Sequence, residues 1–261
     1  MGGLFGRCLG RDDDPPVLFL HGLLGSSSNW LRIGQAVADA SYRVWLLDLR
    51  NHGRSPCLSP HTYEAMVSDV LAFLDEWGVG PCHVVGHSMG GKVAMMALSM
   101  APDRWTSATI LDILPLSYPP YHQDLLAVMQ RMTHSDGATR SDAKRFLLQH
   151  GVSDLLADFV LKNWVRDADE RYHWGIGLSS IVAGYHGLMR APDLPRQSEH
   201  PVQWVMGGRS DYTHPDMIPL VNRFFPRSEL MVIPDVGHWI GWEAPDSCVA
   251  AILGSIARAS S

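Results

Sequence analysis

Apolar residues along the chain fall into two alternating rhythms. Residues 17–20, 43–48, 82–85, 107–113, 202–206 and 230–233 are predominantly apolar runs bounded by Gly, Pro or polar residues. Such runs read as short strands: 17–20 suits one buried on both faces, because a strand with one wet face alternates polar with apolar, and 43–48 and 82–85 also read as buried. Between them, apolar positions recur every three or four residues. Residues 28–40 form one such stretch, and 63–77 another, with Met66, Val70, Phe73 and Leu74 on one face. A third follows residue 88, with Val93, Ala94, Ala97, Leu98 and Ala101. Regular alternation of strand and helix predicts a mostly parallel central sheet with helices on both faces. Ligands of such sheets collect beyond the carboxyl ends of the strands.

The alternation stops at residue 115. Residues 115–200 read as helices at 121–132, 141–150 and 153–164, with a looser piece at 176–189, and are rich in Met, Trp and Tyr. The expected organisation is a core made of residues 1–114 and 201–261, with 115–200 inserted as a helical lid. The Met and aromatic side chains of that insertion either line an acyl pocket or pack the lid onto the core. A last helix at 247–257 closes the fold, and no internal repeat or linker interrupts it.

With 261 residues, 46% of them hydrophobic, the chain has material for one large α/β core. A net charge of −6 without a basic stripe argues against nucleic acid as a partner. Cys8, Cys57, Cys82 and Cys248 show no C-x-x-C spacing and read as reduced thiols. No run approaches the roughly 18 apolar residues that would span a bilayer. Residues 1–9 lack the apolar length of a secretion signal, and Gly2 is followed at position six by Gly6 where myristoylation wants Ser or Thr. The N-terminus reads as a frayed lead-in or an edge strand.

Chemistry concentrates at the run's ends. Gly86-His87-Ser88-Met89-Gly90 fits G-x-S-x-G, in which a serine sits at the apex of a strained strand-to-helix turn. The turn would lift Ser88 Oγ clear of the sheet and leave the Met89 N–H at a helix N-terminus, where it favours an oxyanion. The same residues also spell G-x-x-x-x-G-K, the phosphate-cradling loop of nucleotide hydrolases. Val93 stands where that loop needs a Ser or Thr hydroxyl for Mg²⁺, which disfavours the nucleotide reading. His21-Gly22-Leu23-Leu24-Gly25, after the first buried run, is either a simple tight turn or a loop whose Leu23 N–H completes an oxyanion site. Serine needs a histidine to take its proton and a carboxylate to fix the tautomer. His238, after the last strand, is the best candidate base, whereas His52 reads as a loop histidine satisfied by backbone. Asp112 and Asp211 both follow strand ends open to His238, so position does not choose between them.

Five runs, Phe19-Leu20-His21-Gly22-Leu23-Leu24-Gly25, Asp48-Leu49-Arg50-Asn51-His52-Gly53-Arg54-Ser55-Pro56, Val85-Gly86-His87-Ser88-Met89-Gly90-Gly91-Lys92, Leu111-Asp112-Ile113-Leu114-Pro115 and Gly237-His238-Trp239, carry a resemblance. Together they resemble one subfamily of the α/β hydrolases, containing small bacterial acyl-ester esterases, mitochondrial abhydrolase-domain-eleven proteins and yeast ethanol acetyltransferases. The resemblance implies an α/β-hydrolase fold, Ser88 as nucleophile, His238 as base and Asp112 as acid, since several members lack a carboxylate where Asp211 stands. It implies a small-molecule carboxylic ester, or a thioester, of short to medium acyl chain as substrate, with no cofactor and no metal. An alcohol acyltransferase using the same acyl-enzyme is the alternative, and a non-catalytic binding module a more distant one. The implied compartment is the cytoplasm, or alternatively the mitochondrion. The subfamily usually begins with a β-hairpin, so the short lead before Val17 predicts a reduced or missing edge strand.

Overall fold

The structure, a computed structural model, describes residues 3–259; Gly2, weighed above for lipidation, lies outside the described residues. Gly6–Leu9 (β1) is a short edge strand. It is followed by Pro16–Leu20 (β2), a 3₁₀ turn at Ser27–Trp30, Leu31–Asp39 (α1) and Arg43–Leu47 (β3). Tyr63–Glu76 (α2), Cys82–His87 (β4), Met89–Met100 (α3) and Trp105–Leu111 (β5) come next. The chain then makes Gln123–Arg131 (α4), Arg140–Gln149 (α5), Asp154–Val160 (α6), Trp164–Arg166 (β6), Tyr172–Trp174 (β7) and Leu178–Met189 (α7). Val202–Gly207 (β8), Ile218–Val221 (α8), Ser228–Ile233 (β9), Ile240–Glu243 (α9) and Pro245–Ala259 (α10) complete it.

The main sheet has the order β1-β3-β2-β4-β5-β8-β9, parallel except for the β1–β3 pair. The unbroken apolar runs are explained by the strand period of two. In β2 and β3, Leu18, Leu20, Trp45 and Leu47 enter the apolar layer under α2 and α3, where Met66, Val70, Phe73 and Val93 are buried. Their neighbours Val17, Phe19, Val44 and Leu46 face the opposite layer, against Ile33 and Val37 of α1 and Cys248 and Ile252 of α10. Both faces are covered, so a polar side chain there must find a partner inside the sheet. The inserted residues build a third cluster of their own around Met129, Leu147, Leu161, Trp164 and Ile181, and Leu24 of the core joins it. No helix among the described residues is long and apolar enough to cross a membrane.

One element differs from the expectation. The helix expected at 153–164 stops at Val160, turns through a 3₁₀ piece at Leu161–Asn163, and enters a two-stranded hairpin, β6–β7. Trp164 is the cause: its ring meets Trp174 at 4.9 Å and stacks with Tyr172, while its Nε1–H donates to the Gly137 carbonyl at 3.0 Å. Aromatic cross-strand pairing outweighs the local helical pattern. At the other end, the lead-in is an edge strand, β1, whose four residues pair with β3.

The turn between β4 and α3 shows why glycines flank Ser88. Ser88 has φ of 53° and ψ of −119°, a conformation that costs an L-residue energy and is held by its surroundings. A Cβ on Gly86 would lie 2.5 Å from the Gly90 carbonyl oxygen, and one on Gly90 would strike the Leu20 oxygen and sit 2.6 Å from that of His21. Gly90→Ala is therefore expected to cost about 3 kcal/mol, read as a lowered urea midpoint by circular dichroism; an unchanged midpoint would contradict the tight packing of α3 on β2.

Many imidazoles are buried. His83, in β4, spans two hydroxyls of β5, Ser107 Oγ at 2.6 Å and Thr109 Oγ1 at 2.9 Å, and burial lowers it from 6.5 to about 3. Burial, first among several causes, lowers His61, His87 and His122 to about 4. These groups stay neutral in the fold while the unfolded chain takes up protons near pH 6.5, so acid favours unfolding. Stability should fall as pH drops from 6.5 toward 4, measured as the urea midpoint, and the fall should be shallower in His83→Gln.

Candidate active site

The carboxyl ends of β2, β4, β5 and β9 open on one edge of the sheet, and each delivers one of the residues singled out in the sequence. Asp112 follows β5 with φ of 50° and is fully buried. A buried carboxylate must be matched by donors. Here the Gly207 N–H donates to Oδ1 at 2.9 Å and Thr213 Oγ1–H at 2.7 Å, while Oδ2 accepts from Ser210 Oγ–H and from His238 Nδ1–H at 2.7 Å. Burial by itself would raise this carboxyl; the bond and charge of His238, with Ser210 and Gly207, outweigh it and hold the group below its ordinary value. Asp211 is exposed, and its carboxylate makes no hydrogen bond or ion pair among the described residues.

His238 is held on three sides. Nδ1 is taken by Asp112, the ring stacks on Tyr212 with centroids 3.9 Å apart, and His87 packs against it at 4.7 Å. His87 Nε2–H also donates to the His238 carbonyl at 2.9 Å, so the residue preceding Ser88 is tied to the histidine loop. With Nδ1 occupied, Nε2 is the nitrogen left for a reacting group. No hydrogen bond joins it to Ser88 Oγ among the described residues.

Ser88, Met89 and Leu23 line one cavity together with Tyr118, His122 and Leu188, so the inserted segment shares its wall. Met89 opens α3, where the first N–H groups have no helical partner. In the 21–25 loop, the Leu24 N–H is taken by His52 Nε2 at 3.0 Å and the Gly25 N–H by the Gly22 carbonyl at 3.0 Å, while Leu23 N–H has no partner among the described residues. His52 is thus a buried, bonded loop histidine away from His238.

Lys92, which completed the phosphate-loop pattern, also borders the cavity but faces carbonyls. Its Nζ donates to Arg190 at 2.7 Å and Leu188 at 3.3 Å, at the C-terminus of α7, where a helix favours a cation. The Tyr118 and Tyr63 rings lie 4.9 and 5.8 Å away, and burial lowers the amine to about 7. Sequence reasoning missed Ser210 and Thr213, which bond Asp112, and Tyr212, which stacks on His238. Only their place in the loop after β8 marks them, and that loop was read for Asp211 alone.

Residues 15–245 match the model of the family described as alpha/beta hydrolase fold. The chain is 32% identical over 253 residues to the sn-1-specific diacylglycerol lipase ABHD11 of Danio rerio, covering 94% of this chain and 79% of that one. It is 29% identical over 243 residues to esterase YbfF of Escherichia coli, covering 93% of each. A solved structure described as a marine microorganism esterase superposes with a TM-score of 0.92 at 32% identity, over 97% of this chain and 98% of that one. The strand order, the serine turn and these likenesses agree: the chain belongs to the α/β-hydrolase family.

Proposed function

We propose that the protein is a serine hydrolase of carboxylic esters, or of thioesters, with short to medium acyl chains, working through an acyl-enzyme. Ser88 attacks the acyl carbonyl while His238 Nε2 takes its proton, and Asp112 holds the imidazole in the Nδ1–H tautomer and offsets its positive charge. The Met89 and Leu23 N–H groups stabilise the oxyanion, one from a helix N-terminus and one from the 21–25 loop. His238 then protonates the leaving alcohol, and water repeats the sequence to release the acid. Residues 115–200 act as a lid, since Tyr118, His122 and Leu188 border the cavity that Ser88 lines.

The observation that carries this reading is the 2.7 Å bond from His238 Nδ1 to a carboxylate with three further donors, set at the sheet edge where Ser88 emerges. The relatives named esterase and lipase support the ester class. Ser88→Ala should abolish turnover of p-nitrophenyl esters and labelling by a fluorophosphonate; labelling that persists would remove Ser88 from the mechanism. Asp112→Asn should lower kcat by roughly 10⁴, and Asp211→Asn should leave it within about twofold of the parent, as expected for an exposed surface change. The reverse pattern would transfer the acid's role to Asp211.

A further inference from the structure

The turn after β3 places His52, wholly buried, directly behind the 21–25 loop. Its two nitrogens have partners of opposite kind. The Leu24 N–H can only donate, so Nε2, 3.0 Å away, must be the bare nitrogen. The Arg50 carbonyl can only accept, so Nδ1, 3.0 Å from it, must carry the hydrogen. One neutral tautomer satisfies both. Burial first, then the neighbouring imidazoles of His21 and His61, keeps the ring uncharged.

His21 returns the arrangement. Its Nε2 accepts the Leu49 N–H at 3.0 Å and its Nδ1–H donates to the Gly22 carbonyl at 2.8 Å, with the two rings edge to face at 5.0 Å. Each loop's histidine therefore takes a backbone N–H of the other loop. Leu24 needs such support, because its φ of 60° is unfavourable for a residue with a Cβ. The Leu24 carbonyl is fixed as well, by Asn163 Nδ2–H at 2.8 Å.

We propose that His52 is a positioning residue for the ester reaction: by binding the Leu24 N–H it fixes the loop so that the adjacent Leu23 N–H remains available to the oxyanion. This rests on the reading of Leu23 as an oxyanion donor. A purely structural imidazole would hold the fold without favouring the transition state over the bound substrate.

The test uses p-nitrophenyl ester kinetics, an alkylboronic acid as tetrahedral analogue and circular dichroism, on the full chain. The parent enzyme and Ser88→Ala are measured alongside; without Ser88-dependent turnover in the parent, both the hydrolase reading and this one fall. Given that turnover, His52→Phe keeps a ring but no acceptor, and kcat should drop about 10- to 100-fold with KM within about twofold, a loss below that of removing an oxyanion donor outright. Boronate affinity should drop in parallel. His52→Gln, whose Oε1 can replace Nε2 as acceptor, should recover kcat to within about fivefold of the parent. If His52→Phe does not fold, His52→Asn, too short to reach Leu24, takes its place with the same expected loss. A folded acceptor-less variant with parental kcat, a change confined to KM, or a folded His52→Gln no better than His52→Phe would overturn the proposal while leaving Ser88 chemistry intact.

Discussion

The site depends on one buried carboxylate. Charge taken out of water is tolerated only when donors replace the water, and Asp112 gathers four of them from three separate segments: Gly207 at the end of β8, Ser210 and Thr213 in the loop beyond, and His238 after β9. Satisfying that anion fixes the path of two loops and the orientation of the imidazole together. The stack of Tyr212 on His238 and the bond from His87 to the His238 backbone then restrict what tilt remains. The orientation of the His238 ring is in this sense a by-product of solvating the Asp112 carboxylate.

Much of this was legible because the physical demands are strict. A strand covered on both faces must be largely apolar, which made β2 to β5 and β8 readable, and β9, a half-exposed edge strand, was marked by its short apolar run alone. The serine turn tolerates no Cβ at Gly86 or Gly90, so its glycines mark it. Position could not separate Asp112 from Asp211, since both follow strand ends. What sets Asp112 apart is its direct bond to His238 and the Ser210 and Thr213 hydroxyls that serve its carboxylate, partners that come together only in three dimensions. The β6–β7 hairpin was hidden because its short strands sit in an aromatic-rich stretch with helical spacing, and pairing of Trp164 with Trp174 decides the matter.

Polar groups elsewhere in the interior follow the same logic with less charge. His83 is served by two hydroxyls, and His21 and His52 by backbone of opposite polarity, so each ring stays neutral with one bare nitrogen. Lys92 is the exception. It keeps an amine between tyrosine rings and the last carbonyls of α7, with no carboxylate partner among the described residues, and so joins the helix that follows Ser88 to the inserted segment.

Leu24 has one further consequence. Its side chain belongs to the apolar cluster of the inserted segment and its carbonyl is held by Asn163 of that segment, while its N–H is held by the core. Lifting the segment away would wet that side chain and release one end of a strained peptide. With residues 115–200 as the proposed lid and Leu23 as the proposed oxyanion donor, access and competence would be opposed: opening the segment would remove the Asn163 anchor from the loop bearing Leu23, and closing it would restore that anchor.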